Sequence, residues 1–197
     1  SVNSSMETSM ERLASGKRVN QAADDAAGLA ISTRITAEIQ GLQQSIKNAG
    51  DAQSLLSVAE GALDEVHTIL LRMRSLAVQS ANDTVRDQDR DMLQTEVGQL
   101  ESEIQRICDD TTWSGMTLLA GAFSTGATFQ IGPRDTDTIQ ISLSAIEPLS
   151  TVARGGLSLV SDVTTQANAQ DYILNIDNAI SIISADRAKY GATINRL

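Results

Sequence analysis

The longest regular pattern of apolar residues lies in the first half of the chain. Between Ile39 and Ala77, apolar side chains recur mostly at alternating intervals of three and four residues, which is typical of the buried seam of a coiled-coil-like helix. The pattern predicts one helix from about Ala26 to Ala81, about 80 Å long at a rise of about 1.5 Å per residue. The seam positions are Ile39, Leu42, Ile46, Ala49, Ala52, Leu56, Ala59, Leu63, Val66, Leu70, Met73 and Ala77.

The same spacing predicts two more helices. A second seam runs from Leu93 to Ile107, and a third runs from Ile173 to Leu197. The segment from Asn82 to Gln88 combines turn-forming and charged residues, and so short a connection makes the first two helices antiparallel neighbours. The predicted fold is therefore mainly α, an elongated antiparallel bundle of long coiled-coil-like helices.

The period changes to two between Ala127 and Leu143, where apolar and polar residues alternate around a Gly-Pro-Arg-Asp turn, so we expect a small β-hairpin there. Residues 144–170 are rich in Ser, Thr and Gly and are expected to be irregular. We therefore expect a single domain over residues 1–197. Its parts are residues 1–143, the irregular connection 144–170, and a last helix over 171–197.

Composition and charge narrow the range of functions. The chain has 41% hydrophobic residues but only 3% aromatic ones, which suits helices packed side by side better than a wide catalytic pocket. A net charge of −10 argues against nucleic acid as a partner. No apolar run is long enough to span a membrane. Because the chain starts at Ser1 and stops within an apolar pattern at Leu197, we expect it to be the core of a longer protein.

One stretch, RLASGKRVNQAADDAAGLA from Arg12 to Ala30, has residues that could bind a phosphate or a metal ion, or act in catalysis. The pair Gly16-Lys17 lacks the earlier glycine and the following Ser or Thr of a phosphate-binding loop. Asp24 and Asp25 precede an Ala-rich helix, where both are better explained as helix caps than as a catalytic pair. His67 is the only histidine and has no accompanying catalytic motif. We therefore predict no enzymatic activity, no catalytic or metal site, and no cofactor.

Several segments resemble the amino-terminal core of bacterial flagellins. They are ERLASGKRVNQAADDAAGLAISTRITAEIQGL, EGALDEVHTILLRMRSLAVQSAND, QTEVGQLESEIQRI and TTWSGMTLLAG. The end of the chain, DYILNIDNAISIISADRAKYGATINRL, resembles the start of the carboxy-terminal core helix. The resemblance implies a structural subunit of the bacterial flagellar filament, extracellular and self-assembling for motility. It also implies three kinds of partner: other flagellin subunits, a flagellar export chaperone, and cap proteins.

The resemblance also assigns roles to particular residues. In flagellins the segment that resembles Arg12 to Gly28 connects the inner tube of the filament to the outer helical core and packs against neighbouring subunits. The resemblance therefore implies subunit contacts at Arg12, Gly16, Lys17, Arg18, Asp24 and Asp25. Gly16 would permit a tight bend, while the two cations after it would meet acidic partners. A vertebrate Toll-like receptor contacts the stretch that resembles LRMRSLAVQ, which implies receptor contacts at Arg72, Leu76 and Glu96. Strongly stimulating flagellins have an acidic residue where this chain has Ser75.

A second function stays open at the level of sequence. A flagellin homologue can be displayed on the cell surface as a module that binds a polysaccharide or another ligand. Exposed aromatic and cationic residues would support such a role, and this chain has few of the former: Trp113, Tyr172 and Tyr190 are the main candidates. The acidic net charge disfavours anionic polysaccharides.

Overall fold

One long helix organises the molecule. The computed structural model describes residues 2–120, 123, 126–143, 146, 157, 159 and 162–197. Helix α1 spans Val2–Ser15, α2 spans Ala26–Ser80, α3 spans Asp87–Asp110 and α4 spans Gln166–Ile194. The bounds of α2 confirm the predicted long helix, which gives it a length of about 80 Å.

Helices α3 and α4 lie antiparallel to α2 along its later part. On the α4 side, the guanidinium of Arg74 bonds Asp177 at 2.7 Å, and that of Arg187 bonds Glu60 at 2.9 Å. Residue numbers therefore rise along α4 as they fall along α2. The predicted architecture, an elongated antiparallel helical bundle with a small hairpin region, is confirmed.

The core is a line of apolar layers along α2. From Ala52 to Ala77 the seam side chains are buried, and they pack against apolar residues of α3, α4 and the hairpin region. The partners include Val97 and Ile104 of α3, Tyr172, Ile176 and Ile183 of α4, and Ile139 and Ile141 of the hairpin. Because these side chains come from all parts of the chain, burial of the seam holds the bundle together.

The expected burial was wrong for the start of the seam. Ile39, Leu42 and Ile46 are each between 47% and 73% exposed. Helix α4 ends at Ile194, and Arg196 just beyond it lines one shallow cavity with Leu42. The described residues around them, which include Ile131 and Pro133 of the hairpin region, leave these apolar side chains exposed.

A β-hairpin packs on α2 near Gly41 and Asn48. Strands β3 (Ala127–Gln130) and β4 (Thr138–Ile141) pair antiparallel, as the alternating pattern predicts. The side-chain amide of Asn48 donates to the carbonyl oxygen of Gln130 at 3.0 Å and fixes the hairpin on the helix. A second, shorter pair was not predicted. It joins β1 (Thr112–Trp113) to β2 (Met116–Thr117) through a turn with positive φ at Ser114 and Gly115.

The connection before α4 is shorter than predicted. Much of residues 144–161 lies outside the described part of the chain. Helix α4 begins at Gln166 rather than at Asp171, because the hydroxyl of Thr165 accepts a hydrogen bond from the amide of Asn168 at 3.2 Å and caps the helix. Residues 166–170 are therefore helical, and the expectation of an irregular segment was wrong for them.

A buried arginine holds the corner between α2 and α3. Arg90 donates from Nε to the carbonyl oxygen of Ser80 at 3.0 Å and from a terminal nitrogen to that of Asn82 at 3.1 Å. Its other terminal nitrogen bonds Asp87 at 2.9 Å. The last carbonyl groups of a helix have no partner within the helix, so a buried side chain that supplies donors replaces water there.

A second buried polar contact joins α3 to α4. The hydroxyl of Tyr172 donates to the carboxylate of Glu101 at 2.5 Å, and the tyrosine is fully buried. Burial raises the pKa of the Glu101 carboxyl, and the hydrogen bond from Tyr172 opposes that rise. Burial and the neighbouring carboxylate both raise the pKa of Tyr172. The contact positions the two helices at their shared surface.

Two glycines of α2 should respond oppositely to the same substitution. A Cβ atom at Gly41 would lie 2.9 Å from Cβ of Pro133, whereas one at Gly50 would meet nothing within 4 Å. We expect Gly50→Ala to raise the free energy of unfolding by about 0.5–1 kcal/mol, because alanine favours the helix. We expect Gly41→Ala to lower it by about 1 kcal/mol, because the hairpin must shift. Urea unfolding of both variants measures this. Equal stabilisation of the two would contradict the contact at Pro133.

Candidate functional site

The segment after α1 forms a bend at Gly16. Gly16 has a φ of +65°, in the left-handed region that favours glycine, and its amide donates to the carbonyl oxygen of Arg12 at 3.0 Å. The loop then folds back on α1, where the side-chain amide of Asn20 donates to the carbonyl oxygen of Glu11 at 3.2 Å. The structure therefore places the bend where the sequence predicts it.

Asp24 and Asp25 have different roles, although they are adjacent. Asp25 caps α2, since its carboxylate accepts from the amide of Gly28 at 2.8 Å. Asp24 accepts from the amides of Asn20 and Gln21, at 3.2 and 3.3 Å, and so closes the turn before the helix. The expectation that both residues cap α2 was right for Asp25 and wrong for Asp24, because the Asp24 carboxylate bonds loop amides.

The two cations of this segment are exposed. Within the part of the chain that the structure describes, neither Lys17 nor Arg18 forms an ion pair. Both line a groove of about 920 Å³ between the loop and the first turns of α2. The structure thus brings Gly16, Lys17, Arg18 and Asp25 together at one end of the rod, with Arg12 on the last turn of α1 beside them.

The second predicted group of residues lies on the bundle. Arg72 of α2 and Glu96 of α3 form an ion pair, with nitrogen–oxygen distances of 2.7 and 3.0 Å, and both side chains are about half exposed. Leu76 is only 2% exposed and packs in the core. Arg72 and Glu96 are therefore available to a partner in this conformation, whereas Leu76 supports them from beneath. A receptor contact at these residues stays a prediction.

Sequence reasoning missed a surface feature at the start of α2. Five large apolar side chains of this region are between 46% and 73% exposed, and we call them the amino-terminal apolar stripe. They are Ile31, Ile35, Ile39, Leu42 and Ile46. Their spacing of three or four residues puts them on one side of the helix over about 22 Å. The spacing was visible in the sequence, but the exposure of these side chains is a property of the folded arrangement.

The described residues give little support to metal binding or to a membrane span. They include no group of three or more His, Cys, Asp or Glu side chains placed to hold a metal ion. None of the helices described is long and apolar enough to cross a membrane. The functional surfaces are therefore the bend with its groove, the amino-terminal apolar stripe, and the Arg72–Glu96 pair.

Comparison with known proteins places this arrangement in a family. The family model described as the bacterial flagellin N-terminal helical region matches residues 1–124, which is more than half of the chain. This chain is a member of the flagellin family. The order of a long helix, a return helix and a hairpin region is thus a flagellin core, and the family is that of a bacterial flagellum component.

Curated flagellins match along most of the chain. A flagellin of Halalkalibacterium halodurans is 44% identical over 188 residues, which cover 95% of this chain and 68% of that protein. Polar flagellin F of Vibrio parahaemolyticus is 42% identical over 176 residues, which cover 86% of this chain and 46% of that protein. This flagellin chain therefore spans about two thirds of the first relative and about half of the second.

Solved flagellin structures agree with the fold. The crystal structure of Bacillus cereus flagellin matches with a TM-score of 0.65 at 33% sequence identity, covering 76% of this chain and 84% of that one. FliC from Burkholderia pseudomallei matches with a TM-score of 0.64 over 74% of this chain and all of that one. At 19% identity, the second match supports the fold alone.

Proposed function

We propose that this chain is the core of a structural subunit of the bacterial flagellar filament, located outside the cell. Its action is to make contacts between copies, and no catalytic step is needed. Membership of the flagellin family supports this proposal. The comparisons give no support to the alternative, a surface module that binds a polysaccharide, and no exposed aromatic groove among the described residues favours it.

The amino-terminal apolar stripe is the observation that carries the proposal. Scattered exposed apolar residues are ordinary, but five in line along one helix indicate a surface that is covered in the working protein. We assign a neighbouring subunit as that cover. A contact between two different surfaces, repeated by one operation that does not close into a ring, produces a helical filament.

The stripe can be tested in the intact filament-forming protein. Replacing Ile35 and Ile39 together by aspartate places two charges on the contact, and we expect electron microscopy to show loss of filaments. The melting temperature of the unassembled subunit should change little, because both side chains are already exposed.

The matched control is Leu174→Asp, which charges an apolar residue of α4 that is 63% exposed and lies outside the stripe. Filaments should form with this variant. Normal filaments from the Ile35/Ile39 variant would remove the stripe from the assembly contacts, and the proposed function would then lack its structural basis.

The other partners are inferred from the flagellin resemblance. An export chaperone and a cap protein suit a subunit that leaves the cell and joins the tip of a polymer. Recognition by a Toll-like receptor would use Arg72 and Glu96, since their paired side chains are half exposed. Binding of the receptor ectodomain to Arg72→Ala, compared with the parent chain, tests that contact.

A further inference from the structure

Helices α3 and α4 pack chiefly on α2, and polar side chains span the space between them. Just before α4, the side-chain oxygen of Gln94 accepts a hydrogen bond from the amide of Val163 at 2.8 Å. Further along both helices, the hydroxyl of Tyr172 donates to the carboxylate of Glu101 at 2.5 Å. The second of these contacts joins α3 to α4 through two ionisable side chains.

The surroundings of Glu101 differ from those of the other carboxylates that join helices. Glu96 and Asp177 each pair with an arginine of α2 at 2.7 Å, and their side chains are 41% and 46% exposed. The partner of Glu101 is instead the neutral hydroxyl of Tyr172, which has no exposed surface. A buried charge without a cation beside it is costly. The contact therefore accommodates the uncharged form of Glu101 more easily than the charged form.

Two glutamates of α3 have pKa values that are shifted in opposite directions. Burial raises the pKa of Glu101, and the hydrogen bond from Tyr172 offsets part of that rise. No charged group among the described residues contributes to this shift. Two residues further along, the side chain of Glu103 is 43% exposed, and the hydrogen bond from Arg106 lowers its pKa. Glu103 is therefore a natural control for Glu101.

The two shifts change stability with opposite signs. Because the pKa of Glu101 is raised on folding, the folded chain binds this proton more tightly than the unfolded chain does. Its contribution to stability is complete in acid and is lost as the pH rises through the folded-state pKa. The pKa of Glu103 is lowered on folding, so its contribution is complete at neutral pH and is lost as the pH falls through the folded-state pKa.

We propose that Glu101 and Tyr172 form a proton-dependent contact that holds α3 against α4 more firmly in acid than at neutral pH. Acid weakens the ion pairs that join these helices to α2, such as Arg72–Glu96, because it removes the charge of the carboxylates. The contact between α3 and α4 strengthens over the same change and offsets part of that loss. It lies within one copy, so this inference does not depend on filament assembly.

Titration of Glu101 in the unassembled full-length subunit tests the contact directly. NMR spectra of protein with isotope-labelled glutamate carboxyls should contain a resonance that titrates above the usual glutamate range and is missing from Glu101→Gln. Tyr172→Phe keeps the ring but removes the donor, so the midpoint of this resonance should move further upward. An ordinary midpoint for Glu101, or no movement in Tyr172→Phe, would overturn the proposal.

Urea unfolding at a series of pH values supplies a second readout. At neutral pH, Glu101→Gln should raise the urea midpoint relative to the parent chain, whereas Glu103→Gln should lower it slightly. Both differences should shrink in acid, where the parent carboxyls are themselves protonated. An effect of Glu101→Gln that is the same at every pH would indicate a purely structural role for Glu101 and would also overturn the proposal.

Discussion

Replacing Leu70 by alanine is expected to lower the free energy of unfolding by about 2–5 kcal/mol, the usual range for a fully buried leucine. Leu70 has no exposed surface and lies within the buried part of the α2 seam. The cost combines the lost transfer of the side chain from water with the cavity left behind. Urea unfolding followed by circular dichroism measures it.

The next residue along the helix is the matched control. Leu71 is 49% exposed, so Leu71→Ala removes the same atoms at the same level of α2 without opening a cavity in the core. We expect a change of less than about 1 kcal/mol. A large loss for Leu71→Ala, or a small one for Leu70→Ala, would mean that α2 is rotated from the orientation described here.

Replacing Arg90 by alanine should have the second large effect. The variant leaves the carbonyl group of Ser80 without its donor at a buried corner, whereas the carbonyl group of Asn82 keeps the amide of Val85 as a donor. The unsatisfied Ser80 carbonyl costs about 1–3 kcal/mol, and the lost hydrogen bonds to Asn82 and Asp87 add about 1 kcal/mol, so we expect a total loss of about 2–4 kcal/mol. The same denaturant titration provides the value.

The control for Arg90 lies in the same turn. The Arg86 side chain is 82% exposed and pairs with Asp89 at 3.3 Å. Arg86→Ala should change the free energy of unfolding by less than about 0.5 kcal/mol, because exposed ion pairs contribute little. If the two arginine variants proved equally stable, the carbonyl group of Ser80 would have to be satisfied by something other than Arg90.

The sequence predicts the helices better than it predicts their surroundings. The intervals of three and four residues from Ile39 to Ala77 identify most of α2, since spacing is a local property. Ile39 and Leu70 occupy the same seam, yet one is half exposed and the other buried. Their difference depends on which other elements pack over each position, and the residues near Ile39 in the sequence carry no signal of that packing.

In the candidate site, too, some features are signalled by the local sequence and others depend on the folded structure. Gly16 signals its bend locally, because glycine is the residue that best tolerates positive φ. The roles of Asp24 and Asp25 depend on which amides the folded loop presents to each carboxylate. Arg90 lies between aspartates in the sequence DQDRDM, a pattern that is typical of the exposed start of a helix. Only the packing of the α2–α3 corner shows that it is buried.

The uncovered start of α2 has a consequence for how a polymer begins. The start of α2 extends a helix whose later part is packed, and its own apolar side chains are exposed in a single copy. A first pair of copies gains few contacts, whereas a copy that joins an existing end finds a surface already in place. Elongation should therefore outpace spontaneous nucleation, so that subunits extend existing filaments and seldom start new ones.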